Sequence, residues 1–258
     1  MAGASHFVWY ELMTTDAPAA RAFYSAVVGW TPVDAGMPGV DYTLLQAADT
    51  AVAGLFALPA EACAAGARPG WVGYVAVADV DAAAERLAAG GGQVMRAPED
   101  IPGVGRFAVV ADAQGAAFDL FCPLVDEAPA DSTAPGHVGW HELSTDDHAA
   151  AMQWYATQFG WQALDLLDMG SAGSYQMFAT GTGEAVGGMM TRLPETPGGP
   201  AWLYYFNVAD VDAAMCTIGA QGGQVQFGPE QVPGGLWIVQ GLDPQGGVFA
   251  LVGPRAAA

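Results

Sequence analysis

Residues 71–94 read WVGYVAVADVDAAAERLAAGGGQV, and residues 202–225 read WLYYFNVADVDAAMCTIGAQGGQV. Fourteen of the 24 positions are identical at an offset of 131. The same offset carries His6, Trp9, Glu11, Leu12, Thr14 and Asp16 onto His137, Trp140, Glu142, Leu143, Thr145 and Asp147. It also carries Tyr24, Gly29 and Trp30 onto Tyr155, Gly160 and Trp161, and Asp112, Gln114, Gly115 and Phe118 onto Asp243, Gln245, Gly246 and Phe249. Only the middle slips. There Tyr42 answers to Tyr175, and Ala51-Val52-Ala53-Gly54 to Ala185-Val186-Gly187-Gly188. The chain is one unit written twice, with a small insertion in the second copy.

Each copy has an internal pattern. Residues 6–14 alternate with period two, as a half-buried strand does. Asp16 or Thr15 then caps a helix over 17–28, with Pro18 in its first turn and Gly29 at its end. Strands follow near 30–34, 42–46 and 51–58. The order restarts with a strand at 71–77, a helix from Asp79 or Val80 to Ala89, and strands at 93–96, 105–110 and 116–124. Asp112-Ala113-Gln114-Gly115 forms the hairpin turn. The second copy repeats the order, with helices expected at 147–159 and 211–220. The reading is α+β, with four βαβββ modules. The expected domains are 1–124, a linker at 125–135 rich in Pro, Ala and acidic residues, and 136–258.

Composition narrows the function. A chain of 258 residues with 52% hydrophobic side chains can bury two cores. Its formal net charge is −20, with seven Arg and no Lys. Such a surface repels phosphate backbones and anionic lipid, so neither nucleic acid nor membrane is an expected partner. No apolar run is long enough to span a bilayer, and the first residues carry no signal-peptide pattern, so a cytoplasmic location is expected. Cys63, Cys122 and Cys216 have no repeat counterparts and form no CxxC, which argues against a disulfide or zinc framework. Gly90-Gly91-Gly92 ends a helix and so offers no phosphate cradle.

The spacing of Asp16, Phe23-Tyr24 and Gly29-Trp30, then of residues 77–81 (VADVD) and 112–115 (DAQG), resembles the vicinal oxygen chelate superfamily. That group holds glyoxalase I, the bleomycin and fosfomycin resistance proteins and the extradiol dioxygenases. The Trp9-x-Glu11-Leu12 and Trp140-x-Glu142-Leu143 openings resemble a bacterial tandem, glyoxalase-like subgroup. The resemblance implies paired modules curled into cups, with helices outside. In metal-using members, strands supply His, Gln or Glu ligands from inside the cup. Carried onto this chain, the first ligand position is Trp9 and Trp140, and the middle one is Val72 and Leu203. The last is Asp119 in the first copy and Ala250 in the second. Indole and aliphatic side chains bind no divalent cation, and one carboxylate is far short of a donor set. The expectation is therefore no metal and no cofactor, with a divalent metal as the alternative if ligands lie elsewhere.

This leaves a set of candidate residues, each with a functional and a structural reading. Trp9 and Trp140 are expected to wall the cups for an aromatic or apolar ligand, or to fill the space a metal would leave. Glu11 and Glu142, two residues further on the same face, are candidates for proton transfer or for structural hydrogen bonding. Asp119, present only in the first copy, is a third candidate for catalysis. Tyr74, Tyr205 and Asn207 are candidate ligand contacts. His141 and His148 are read as structural. The favoured function is metal-free binding of a small apolar or aromatic metabolite. The alternative is a glyoxalase-like lyase or dioxygenase-type enzyme using Glu11, Glu142 or Asp119. The partner is a small molecule, and the chain is expected as a monomer with an internal pseudo-dimer, or as a homodimer.

Overall fold

The computed structural model describes residues 5–37, 39–64, 66–125, 132–181, 183–193, 196 and 198–255. The first module runs β1 (Phe7–Thr14), α1 (Ala17–Val27), β2 (Thr31–Asp34), β3 (Tyr42–Ala47) and β4 (Thr50–Ala57). After a short helix, α2 (Ala60–Ala64), come β5 (Gly70–Ala76), α3 (Val80–Ala89), β6 (Gln93–Ile101), β7 (Gly105–Ala111) and β8 (Ala117–Pro123). The third module is β9 (Val138–Thr145), α4 (His148–Phe159), β10 (Gln162–Asp168), β11 (Ser174–Ala179) and β12 (Gly187–Thr191). The fourth is β13 (Ala201–Asn207), α5 (Val211–Ala220), β14 (Gln224–Gln231), β15 (Trp237–Leu242) and β16 (Val248–Gly253). The fold is α+β, with four βαβββ modules. Two findings differ from the sequence reading: β6 runs on to Ile101, and α2 has no periodic pattern to announce it.

Within each module the first strand pairs in parallel with the last, and the others pair antiparallel, so the sheets are mixed. The strand runs are β2-β3-β4-β1, β5-β8-β7-β6, β10-β11-β12-β9 and β13-β16-β15-β14. The main helices start where the sequence says, because an aspartate caps each. Asp16, Asp79, Asp147 and Asp210 accept backbone N–H groups of the first turn at 2.9–3.3 Å. Such a cap stabilises a helix by about 1 kcal/mol.

The chain divides into two compact units that cut across the sequence repeat. One takes residues 1–8, 73–129 and 140–202, and so the second and third modules; the other takes 9–72, 130–139 and 203–258, the first and fourth. The expected boundaries 1–124, 125–135 and 136–258 follow the repeat; of that linker, residues 126–131 lie outside the described residues.

Each unit is closed by the same lock. In the unit of modules two and three, the Tyr155 hydroxyl donates to Asp112 Oδ2 at 3.1 Å and accepts from Trp202 Nε1 at 3.0 Å. Asp112 Oδ1 takes the backbone N–H groups of Gln114 and Ala116, forming the hairpin turn. Phe118 packs on Tyr155 and Phe159. Gln114 adds a two-way bond to the backbone of Asp147. In the unit of modules one and four, Tyr24 donates to Asp243 Oδ2 at 3.1 Å and accepts from Trp71 Nε1 at 2.9 Å, while Phe249 packs on Phe23 and Tyr24. Burial pushes the Asp243 carboxyl above its usual range, against the pull of the turn's N–H groups and Tyr24. The aromatic pair on the helix and the Asp-x-Gln-Gly turn, far apart in sequence, are thus two halves of one buried contact.

Candidate functional site

β1 buries Tyr10, Leu12 and Thr14 on one face, and Trp9 and Met13 lie half-exposed on the other. Glu11 breaks this alternation: it belongs to the Trp9 face yet is only 8% exposed. The reason is Tyr42 on β3. Its hydroxyl is hydrogen-bonded to Glu11 and accepts from Trp9 Nε1 at 3.1 Å. The second copy repeats the arrangement. Trp140 Nε1 donates to the Tyr175 hydroxyl at 2.7 Å, and that hydroxyl donates to Glu142 Oε2 at 3.1 Å. Trp140, Glu142 and Tyr175 are all half-buried.

A glycine makes room for each tyrosine. Glu11 is in register with Gly54 on β4, and Glu142 with Gly188 on β12. A Cβ on Gly54 would collide with the Tyr42 ring and hydroxyl, and one on Gly188 with the Tyr175 ring. The ring therefore lies over bare backbone, and its hydroxyl reaches the carboxylate beyond. Burial first, and then the charge of the adjacent glutamate, push both tyrosine hydroxyls well above their usual range. They remain protonated donors.

The electrostatics follow from this order. The indole N–H is spent on the tyrosine oxygen, and the tyrosine hydrogen is spent on the carboxylate. What Trp9 and Trp140 have left to offer is ring surface. Each carboxylate is held in place by the tyrosine hydroxyl.

The remaining candidates fall elsewhere. Tyr74 on β5 and Asp119 on β8 are in register, both buried, and Tyr74 stands edge-on to Phe121. Tyr205 is 1% exposed and its hydroxyl accepts from Gln240 at 2.7 Å. Asn207 donates both amide hydrogens to the carbonyls of Ser132 and Ala134, and its backbone pairs with Gly136 and His137. It pins the segment that leads into β9, and no amide hydrogen is left for a ligand. His141 is buried against Phe7, with Nδ1 2.8 Å from the Val186 carbonyl. His148 bonds Thr191 at the start of α4. The linings of two clefts, one of Trp30, Ala47 and residues 134–137 among others, the other along α3, include no member of either Trp–Tyr–Glu group.

Tyr42 and Tyr175 are the residues that the sequence reading passed over. Their signal was present: they answer to each other across the copies, as do Gly54 and Gly188.

A divalent metal does not fit the positions where the resemblance would place it. Trp9 and Trp140 present an N–H already donated to tyrosine, and Val72, Leu203 and Ala250 have no donor atom. Among the described residues, no three His, Cys, Asp or Glu side chains gather to hold an ion. Among them, too, no helix is long and apolar enough to cross a membrane.

The family model for the Glyoxalase/Bleomycin resistance protein/Dioxygenase superfamily matches residues 5–120 and 135–251. The chain is 35% identical over 256 residues to "Putative glyoxylase CFP32" of Mycobacterium tuberculosis (strain CDC 1551 / Oshkosh), covering 95% of this chain and 94% of that one. It is 32% identical over 271 residues to "Anthracycline biosynthesis protein DauV" of Streptomyces sp. (strain C5), covering 96% and 93%. Among solved structures, the Mn(II)-bound glyoxalase from Novosphingobium aromaticivorans superposes with a TM-score of 0.67 at 17% identity, over 98% of this chain and 83% of that one. A catechol 2,3-dioxygenase superposes with a TM-score of 0.65 at 16% identity, over 100% and 91%. At these identities the structural likeness speaks for the fold alone.

Proposed function

Because the chain belongs to the glyoxalase/bleomycin resistance protein/dioxygenase superfamily, we propose that it serves as a metal-free member that binds a small apolar or aromatic molecule. The observation that carries this reading is the half-exposed indole of Trp9 and of Trp140, each with its polar edge satisfied by tyrosine. A ring fixed in this way loses little conformational freedom when a flat ligand stacks on it. The name of the DauV relative, an anthracycline biosynthesis protein, is consistent with an aromatic ligand. Equilibrium dialysis against a neutral planar probe, 1-pyrenemethanol, tests the reading. Saturable binding that disappears in the W9A/W140A double variant is the expected result. Absence of saturable binding, or binding indifferent to both substitutions, removes it.

A second reading is supported by the repeated tyrosine–glutamate pair and by the glyoxylase name of the CFP32 relative. In it, Glu11, Glu142 or Asp119 moves a proton next to a substrate carbonyl. An activity found in the wild type and kept in full by the E11Q/E142Q variant would exclude the two glutamates from that role.

A further inference from the structure

The two copies present the same indole and the same tyrosine, and they differ in what stands beside them. In the first copy, Phe56 on β4 is in register with Tyr42 and stacks on its ring, with centroids 6.1 Å apart and planes 24° from parallel. Met13 on β1 is in register with Phe56, and Leu44 follows Tyr42 by two residues on the same face of β3. In the second copy, Met190 on β12 takes the place of Phe56, opposite Tyr175. Ser144 takes the place of Met13, in register with Met190, and Met177 takes the place of Leu44. Phe56, Met13, Leu44, Met190, Ser144 and Met177 are all half-buried.

These exchanges alter stiffness and room together. The Phe56 ring is held by its stack on Tyr42, so with Trp9 the first copy offers flat, rigid ring surface. Methionine is unbranched and carries a flexible, polarizable thioether, which adapts to irregular shapes. Serine in place of methionine beside Met190 removes bulk from the same face. The second copy is therefore softer and roomier near its indole.

We propose that the two copies select ligands by shape: the first favours a planar fused-ring molecule, the second admits a bulky, non-planar apolar one, and Phe56 and Met190 set the difference. This rests on the binding role proposed above and adds shape selectivity to it. A globular ligand meets flat rings along one side alone and forfeits dispersion contacts there. Against the second copy, the two thioethers close around it.

Two neutral alcohols of contrasting shape test this on the full chain: planar 1-pyrenemethanol and globular 1-adamantanemethanol. Their dissociation constants are measured by equilibrium dialysis for the wild type, W9A and W140A. W9A is expected to weaken the tightest pyrene site about tenfold and to leave the adamantane probe unchanged, and W140A to do the reverse. F56M is expected to weaken the pyrene probe about threefold, and M190F the adamantane probe about threefold. These two exchanges between apolar side chains keep the test decisive even if a tryptophan variant does not fold. Single variants that weaken both probes alike, or F56M and M190F proteins that change neither preference, overturn the shape assignment and leave the binding role standing. Saturation by one probe alone overturns it in the same way. If neither probe saturates, the binding role and the shape assignment fall together.

Discussion

Substituting His141 by Phe should change how stability depends on pH. His141 is 8% exposed, its ring stacks on Phe7 at 4.5 Å, and its Nδ1 lies 2.8 Å from the Val186 carbonyl. Burial pulls its pKa from 6.5 to about 4, and the Val186 carbonyl offsets only part of this. The folded pKa is below the unfolded one, so the unfolded chain binds the proton first as pH falls. Stability is therefore whole above about pH 6.5 and is lost as pH falls through the window down to about 4. The gap corresponds to about 3 kcal/mol, most of it lost between pH 7.5 and 4.5. H141F keeps a ring against Phe7 and loses the ring nitrogen's hydrogen bond to the Val186 carbonyl, about 1 kcal/mol. The Val186 carbonyl still accepts the backbone N–H of residue 141 at 3.1 Å. Urea unfolding at a series of pH values, for both proteins, reads the effect. Carboxylates titrate in both and cancel in the difference. The variant should be about 1 kcal/mol less stable near pH 7.5 and the more stable of the two near pH 4.5, so the curves cross. Parallel curves would refute the assignment of a neutral buried imidazole.

Further outcomes follow from the same geometry. Y155F leaves Asp112 Oδ2 without its donor and Trp202 Nε1 without its acceptor, and should cost about 1–3 kcal/mol in thermal or denaturant unfolding. Y24F should cost a similar amount through Asp243 and Trp71. G188A should drive the Tyr175 ring off its backbone seat and weaken aromatic-probe binding, and G54A should do the same at Tyr42. Equal affinity in all three proteins would show that the tyrosines do not hold the indoles. Incubation with nickel, zinc, manganese or iron(II), then desalting and elemental mass spectrometry, should leave no stoichiometric metal. A retained equivalent would show that donors assemble from residues beyond Asp119, the one carboxylate aligned with the family's ligand positions.

The sequence by itself determined the repeat, the four modules and the helix starts, because these rest on local physics. An aspartate caps the turn that follows it, alternation sets a strand's faces, and identical stretches fold alike. It also placed Trp9 with Glu11, and Trp140 with Glu142, on shared strand faces, since a spacing of two suffices for that. Only the tertiary structure decided what those side chains do. Tyr42 is 33 residues from Trp9, and its hydroxyl reaches both Trp9 and Glu11 because β3 pairs with β4, β4 pairs with β1, and Gly54 leaves the space. Asn207, equally plausible as a ligand contact in the sequence, became a tie to residues 132 and 134 once β13 was positioned. The lock between Tyr24 and Asp243 joins positions 219 residues apart. Such partners are chosen by which surfaces bury each other, and a buried hydroxyl must find an acceptor wherever packing has placed one.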